Sequence, residues 1–260
     1  SNFEIKESAF EESGLKSADF SGRNVKIGKN SFYDCKSLAT VNFSSGTSEI
    51  GESAFAESGL TAVELPESIS VIKPATFRNC HRLGNVIIPV SVDSIKMNAF
   101  AGCKAIQRLT LKGNVRYFGE NAFGYTGGRY SEIYTSIQEL DIPDCNAWCK
   151  AEFKVSRING YYYIYSNPIQ AAKKLLCKGT KITTLDINIP DEDVSDYAFY
   201  KAPSLTQLNI TAQSIGSYAF YKCKALKNIK FNKMPKSIGR DAFYDVNADV
   251  TDIPSANEWA

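Results

Sequence analysis

Leu83-Gly84-Asn85-Val86-Ile87-Ile88-Pro89, then Ser91-Val92-Asp93-Ser94-Ile95, then Ala99-Phe100-Ala101-Gly102-Cys103 form one unit, and the chain repeats it. The first part carries apolar residues at positions 1, 4 and 6, the alternation of a half-buried strand. The second part also reads as extended. The third closes the unit on a phenylalanine. Ala-Phe recurs at Phe10, Phe55, Phe100, Phe123, Phe199, Phe220 and Phe243, and Ser31-Phe32 and Thr76-Phe77 fill the same place. Successive spacings are 22, 23, 22, 23, 23, 76, 21 and 23 residues. Nine anchors at such regular spacing define an internal repeat, and the 76 marks an interruption.

A unit of this length cannot bury its own apolar face, but stacked units can. Val63 is then expected over Val41 and Val86, and Phe55 over Phe32 and Phe77. Pro66, Pro89 and Pro143 end the first strand, because proline cannot donate to a ladder. Gly28, Gly51, Gly119, Gly216 and Gly239 follow the second segment, which suggests a corner with unusual dihedrals. At about 4.8 Å per stacked strand the array is long and gently curved.

The order Leu-x-x-Val-x-Leu-Pro, Val-x-x-Ile-Gly, x-x-Ala-Phe-x-x-Cys resembles the BspA-type leucine-rich repeat over essentially the whole chain. The resemblance implies a β-rich solenoid of short parallel strands with short helical or 3-10 turns, right-handed and stacked in repeats of 22–23 residues. It also implies a cell-surface or extracellular binding protein, since the family occurs on bacterial and some protozoan surface proteins and some members are adhesins. It does not imply an enzyme.

Composition removes other classes. A net charge of +2 leaves no footprint for nucleic acid or anionic membrane. No apolar run approaches the roughly 18 residues of a membrane span. His81 is the single histidine, which removes two-histidine zinc sites and most histidine chemistry. Seven cysteines, an odd number, cannot all pair. The first residues carry no signal-peptide pattern.

The chain is expected to be one domain over 1–260, with a non-repeat island at 144–181. Asp144 is a helix N-cap candidate, Tyr161 to Tyr165 a strand, Asn167-Pro168 a turn, and Ala171 to Cys177 a short helix or a strand. The island is expected to widen one solenoid turn. Residues 253–260 repeat the opening of the island, with Ile, Pro, Asn and Trp in register, so they begin a second island or form a C-terminal cap. The abrupt start and end favour a piece of a longer array.

Cys35, Cys80, Cys103 and Cys223 stand three residues after the repeat phenylalanine, where Ser13, Ser58 and Ala202 stand elsewhere. A column accepting Cys, Ser or Ala reads as a buried small residue, with free thiols. Cys145, Cys149 and Cys177 are a weak zinc pattern and read as packing on Trp148, with a Cys177 disulfide as an alternative. His81 reads as a solvated loop residue. Asp191-Glu192-Asp193 with Asp196 lacks the spacing of a calcium loop and reads as a solvated turn. Asn42-Phe43-Ser44 and Asn209-Ile210-Thr211 are formal glycosylation triplets inside expected strands. No metal or cofactor is expected.

Two surfaces are candidates for binding. The outward column of the first strand reads Asp19, Asn42, Glu64, Ile87, Thr110, Asp141, Asp186, Asn209 and Lys230. It is mixed in sign, which suits a protein or glycan held by many weak contacts. The second surface is tyrosine-rich: Tyr161, Tyr163 and Tyr165 share one face of the island strand, and Tyr125, Tyr130 and Tyr134 lie in the insertion between Phe123 and Ile137. Tyrosine offers rigid area with a polar tip. The expected function is a non-catalytic, adhesin-like scaffold, monomeric, binding an extracellular or host surface protein, a matrix protein among them, or a glycan. A spacer presenting another domain is the alternative. A glycan-active enzyme is disfavoured, because no two acids are placed across a cleft.

Overall fold

The computed structural model describes residues 2–126, 133–158, 161–163 and 166–251. Stacked turns build two sides of parallel strands, each divided into separate sheets, and a column of phenylalanine turns. In the first sheet, Ala62–Glu64, Asn85–Ile88, Ile106–Leu111, Ile137–Ile142 and Ala172–Cys177 pair in parallel in that order. Val63, Val86, Leu109, Leu140 and Leu175 form one continuous buried ladder. Ser17–Asp19 pairs with Thr40–Asn42 as a separate piece. Thr184–Val194, Gln207–Ile215, Asn228–Phe231 and Asp249–Thr251 continue the array beyond the interruption.

The second side of the array is formed by two separate parallel pieces, Asn2–Ile5, Asn24–Ile27 and Thr47–Ile50 in one, and Val71–Ile72, Ser94–Ile95, Tyr117–Phe118 and Glu152–Phe153 in the other. Among the described residues the one α-helix, Cys145–Trp148, and the one 3-10 helix, Pro168–Ala171, both fall in the interruption.

The phenylalanines stack as expected. Phe10, Phe32, Phe55, Phe77, Phe100 and Phe123 have successive ring centroids 5.2, 5.2, 5.9, 5.2 and 5.3 Å apart. Their backbone also forms a ladder: Phe32 N–H donates to Ala54 O at 2.8 Å, and Phe77 N–H to Ala99 O at 2.9 Å. Residues two before and two after the ring adopt left-handed φ, for example Ser53 (52°) and Glu57 (62°) around Phe55. This tight corner is the reason Ser, Asn and Asp are frequent there.

The glycine corners differ from expectation. None of Gly28, Gly51, Gly119, Gly216 and Gly239 has a positive φ. Their role is close approach of one turn to the next. A Cβ on Gly51 would lie 2.5 Å from Gly28 C and Lys29 N, and one on Gly239 would lie 2.5 Å from Ser217 N. Glycine is needed here for space.

The interruption substitutes for a turn. Asp144 caps the short helix by accepting Ala147 N–H at 2.9 Å. The segment left open between helix and strand is the strand Ala172–Cys177, which joins the first sheet beside Ile137–Ile142. In an ordinary unit the carbonyl before the phenylalanine accepts the preceding phenylalanine's N–H. Ala198 O instead accepts the Trp148 indole N–H at 2.7 Å and the Asn167 amide at 3.1 Å, and Tyr197 O accepts the same Asn167 amide at 2.8 Å. Trp148 packs 5.3 Å from both Phe118 and Phe153. Asp191-Glu192-Asp193 lies in the strand Thr184–Val194, beside an irregularity between Ile189 and Asp193, where a turn was expected. Residues 253–260 lie outside the described residues.

Candidate functional site

The outward column is real as a register. Glu64 stands beside Ile87, Ile87 beside Thr110, and Thr110 beside Asp141. Beyond the interruption Asp186, Asn209 and Lys230 align in the same way. Glu64 is exposed and 3.2 Å from Lys112 Nζ, while Ile87 and Thr110 are half-buried. Thr40–Asn42 does not pair with Ala62–Glu64. A cleft of about 450 Å³ opens there, lined by Asn42, Phe43, Glu64, Pro66 and Lys112 among others.

Asp141 departs from the expectation that it faces solvent. It is 9% exposed, accepts from Arg108 at 3.2 Å and from Gly179 N–H at 2.9 Å, and so serves the structure. Its neighbour in the column is buried Leu176, from the island strand. Glu139, beside it, lies 2.7 Å from Lys174 Nζ, whose hydrogen bond and charge hold its carboxyl below the usual range.

The tyrosine candidates fall on two hairpins. Tyr125–Thr126 pairs antiparallel with Ile133–Tyr134, and Tyr161–Tyr163 with Ser156–Ile158. Tyr130 and Tyr165 lie outside the described residues. A different aromatic cluster escaped the sequence reading. Tyr197, Tyr200, Tyr218, Tyr221 and Tyr244 stack beside the phenylalanine column. Its signal was present, since Tyr-Ala-Phe-Tyr-Lys occurs at both 197–201 and 218–222.

All seven cysteines are free thiols. Those of the repeat donate to the phenylalanine carbonyl one unit back: Cys35 to Phe10 O at 2.9 Å, Cys80 to Phe55 O and Cys103 to Phe77 O at 3.1 Å, Cys223 to Phe199 O at 3.2 Å. Thr135 does the same for Phe100 at 2.8 Å. Burial pushes the Cys80 thiol up to about 12, so it is no nucleophile near neutrality. Burial, then Cys177, pushes Cys145 up as well. His81 is half-buried rather than solvated, with Nδ1 3.1 Å from Gly102 O. Among the described residues no group of three His, Cys, Asp or Glu could hold a metal ion. No helix there is long and apolar enough to cross a membrane.

Stacked parallel strands, an aliphatic ladder and a phenylalanine ladder define a β-solenoid built of leucine-rich repeats. A family profile for the BspA type leucine-rich repeat region matches residues 3–128 and 192–259 in six copies. The chain belongs to that family. It is similar to a leucine-rich repeat protein from Bacteroides ovatus, at 17% identity over 94% of this chain and 76% of that one, TM-score 0.38. It is similar to the pneumococcal vaccine antigen PcpA at 22% identity, covering 86% of this chain and 58% of that one, TM-score 0.44. A leucine-rich cell surface protein from Faecalibacterium prausnitzii is similar at 18% identity over 98% of this chain and 84% of that one, TM-score 0.37. No curated protein matches the chain.

Proposed function

We propose that this repeat scaffold binds a protein at a cell surface or in the extracellular space, through the outward face of its first sheet. The observation that carries the reading is the register of Glu64, Ile87 and Thr110 across paired strands. A rigid sheet with one polar or amphipathic side chain per rung presents a preorganised surface, and preorganisation lowers the entropy lost on binding. Membership of the repeat family supports a binding role and a surface location. The scaffold is non-catalytic in this reading, since Asp141 is occupied and Glu64 stands three rungs from it. Tyr125, Tyr130, Tyr161, Tyr163 and Tyr165 are proposed as further binding residues.

The test is biolayer interferometry of the chain against immobilised fibronectin, fibrinogen and a glycan panel. Saturable binding to a protein is expected, and a folded Tyr161→Ser, Tyr163→Ser, Tyr165→Ser variant measures the hairpin's share. No binding at about 50 µM, weaker than the range of typical specific complexes, would sink the matrix-binding reading and favour a spacer.

A further inference from the structure

The phenylalanine turns carry a second surface, on a different side of the solenoid from the first sheet. Tyr200, Tyr221 and Tyr244 stack with centroids 5.0 and 5.1 Å apart and planes within 12°. Tyr197 stacks on Tyr218 at 5.1 Å, and the two columns meet edge-on, Tyr197 to Tyr200 at 6.0 Å and Tyr218 to Tyr221 at 5.5 Å. Five rings thus lock one another. Tyr244 is 54% exposed and the other four are half-buried.

Two cations lie over this platform. Lys201 Nζ is 5.1 Å from the Tyr200 ring centre, and Lys222 Nζ is 5.2 Å from that of Tyr221. Their backbones lie on adjacent rungs, since Lys201 N–H donates to Tyr221 O and Lys222 N–H to Tyr244 O, both at 2.8 Å. Neither has an ion pair among the described residues. The nearby carboxylates are engaged elsewhere: Asp245 with Lys224 at 3.4 Å, Asp241 with Arg240 at 3.4 Å, and Asp196 with Ser217 N–H at 2.6 Å. Burial, and then the charge of Lys222, lowers the Lys201 pKa. Two like charges therefore stand on adjacent rungs, and Asp245, at the same position on the next rung, is paired with Lys224. Cation–π contact offsets part of the cost of burying Lys201.

The basic character is local. The same position two residues after the phenylalanine holds Glu12, Asp34 and Glu57 in the N-terminal units. It is occupied by lysine only where tyrosines flank the phenylalanine. We infer that the Tyr197–Tyr244 platform with Lys201 and Lys222 is a docking surface for an acidic, extended segment of a protein partner, whose carboxylates bridge the two ammonium groups while its backbone and side chains lie along the tyrosine edges. Rigid tyrosine area with paired cations is the composition of a recognition surface. Within the longer column Tyr221 has a ring on each face, which leaves it no open face for a sugar ring.

The experiment is fluorescence anisotropy of the whole chain with a labelled ten-glutamate peptide, with a ten-glutamine peptide and a heparin fragment as separate arms. Saturable binding to the glutamate peptide is expected, weakening at least several-fold as salt rises from about 0.05 to 0.5 M. Lys201→Glu/Lys222→Glu should weaken it about tenfold or more, while Lys16→Glu/Lys104→Glu, with the same change in net charge, should leave it within about twofold. Lys201→Met/Lys222→Met keeps the side-chain stems over the rings and serves if the charge reversal does not fold. An Ile87→Glu/Thr110→Glu variant should keep glutamate-peptide binding, which separates this surface from the sheet face. Equal loss in the control pair, no binding, or lysine-dependent binding of heparin alone would overturn the inference. So would self-association, seen by sedimentation and abolished by the lysine variants.

Discussion

At the scale of single residues, position in the repeat decides what each side chain does. Gly51 has backbone of the neighbouring unit where a Cβ would go, whereas Gly14 has nothing within 4 Å. Gly51→Ala should therefore cost about 2–3 kcal/mol, and Gly14→Ala should stay within about 0.5 kcal/mol, measured by chemical denaturation. The Cys80 thiol is fully buried and donates to Phe55 O. Ala202 fills the same column and is also buried, so Cys80→Ala should fold at a cost of about 1–2 kcal/mol. Cys80 also sets a pH dependence. Its folded value, about 12, lies above the ordinary thiol value of 9.0. The unfolded chain therefore loses this proton first. The stabilisation is complete below pH 9 and is lost as pH rises toward 12, at up to about 1.4 kcal/mol per pH unit. Melting curves from pH 8 to 10.5 should fall less steeply for Cys80→Ala than for the natural chain. Parallel curves would contradict the assignment.

At the scale of elements, the units could be read from sequence because each strand and each ring recurs at fixed spacing. The stacking of Phe55 between Phe32 and Phe77 followed from that spacing alone. The glycines were misread because a corner and a close approach select the same residue. Only the packing of adjacent units shows that the left-handed φ belongs to Ser53 and Glu57 and not to Gly51. Asp141 was misplaced because its cover comes from non-periodic residues, Gly179 and the strand containing Leu176. The tyrosine platform was not legible as a cluster because only the left-handed corners around Phe199 and Phe220 bring their flanking tyrosines edge to edge. The interruption itself makes a testable joint. Trp148→Phe keeps an aromatic ring and removes the bond to Ala198 O. It should cost about 1–3 kcal/mol and speed amide exchange across 195–223 more than across 77–103. The pair Trp148→Phe and Asn167→Ala should be non-additive, because both donors meet one carbonyl.

At the scale of the whole molecule, stability is a sum of neighbour contacts. The outer units show it: Phe3 and Phe10 are 47% and 38% exposed at one end. At the other, Phe231, Met234, Phe243 and Val246 line an apolar cleft of about 310 Å³. Amide exchange should accordingly be slowest in the central units, around Phe77 and Phe100, and faster toward both ends. The same one-dimensional construction suits the proposed function, since it holds Glu64, Ile87 and Thr110 in line on paired strands. Binding should then depend on the sheet face and tolerate changes in the buried thiols. The decisive measurement is interferometry of the natural chain and a folded Ile87→Glu/Thr110→Glu variant on the same fibronectin and fibrinogen surfaces. Saturable binding by the natural chain, reduced about tenfold or more in the variant, is the expected result; no binding by either, or equal binding by both, would contradict a sheet-face protein-binding scaffold.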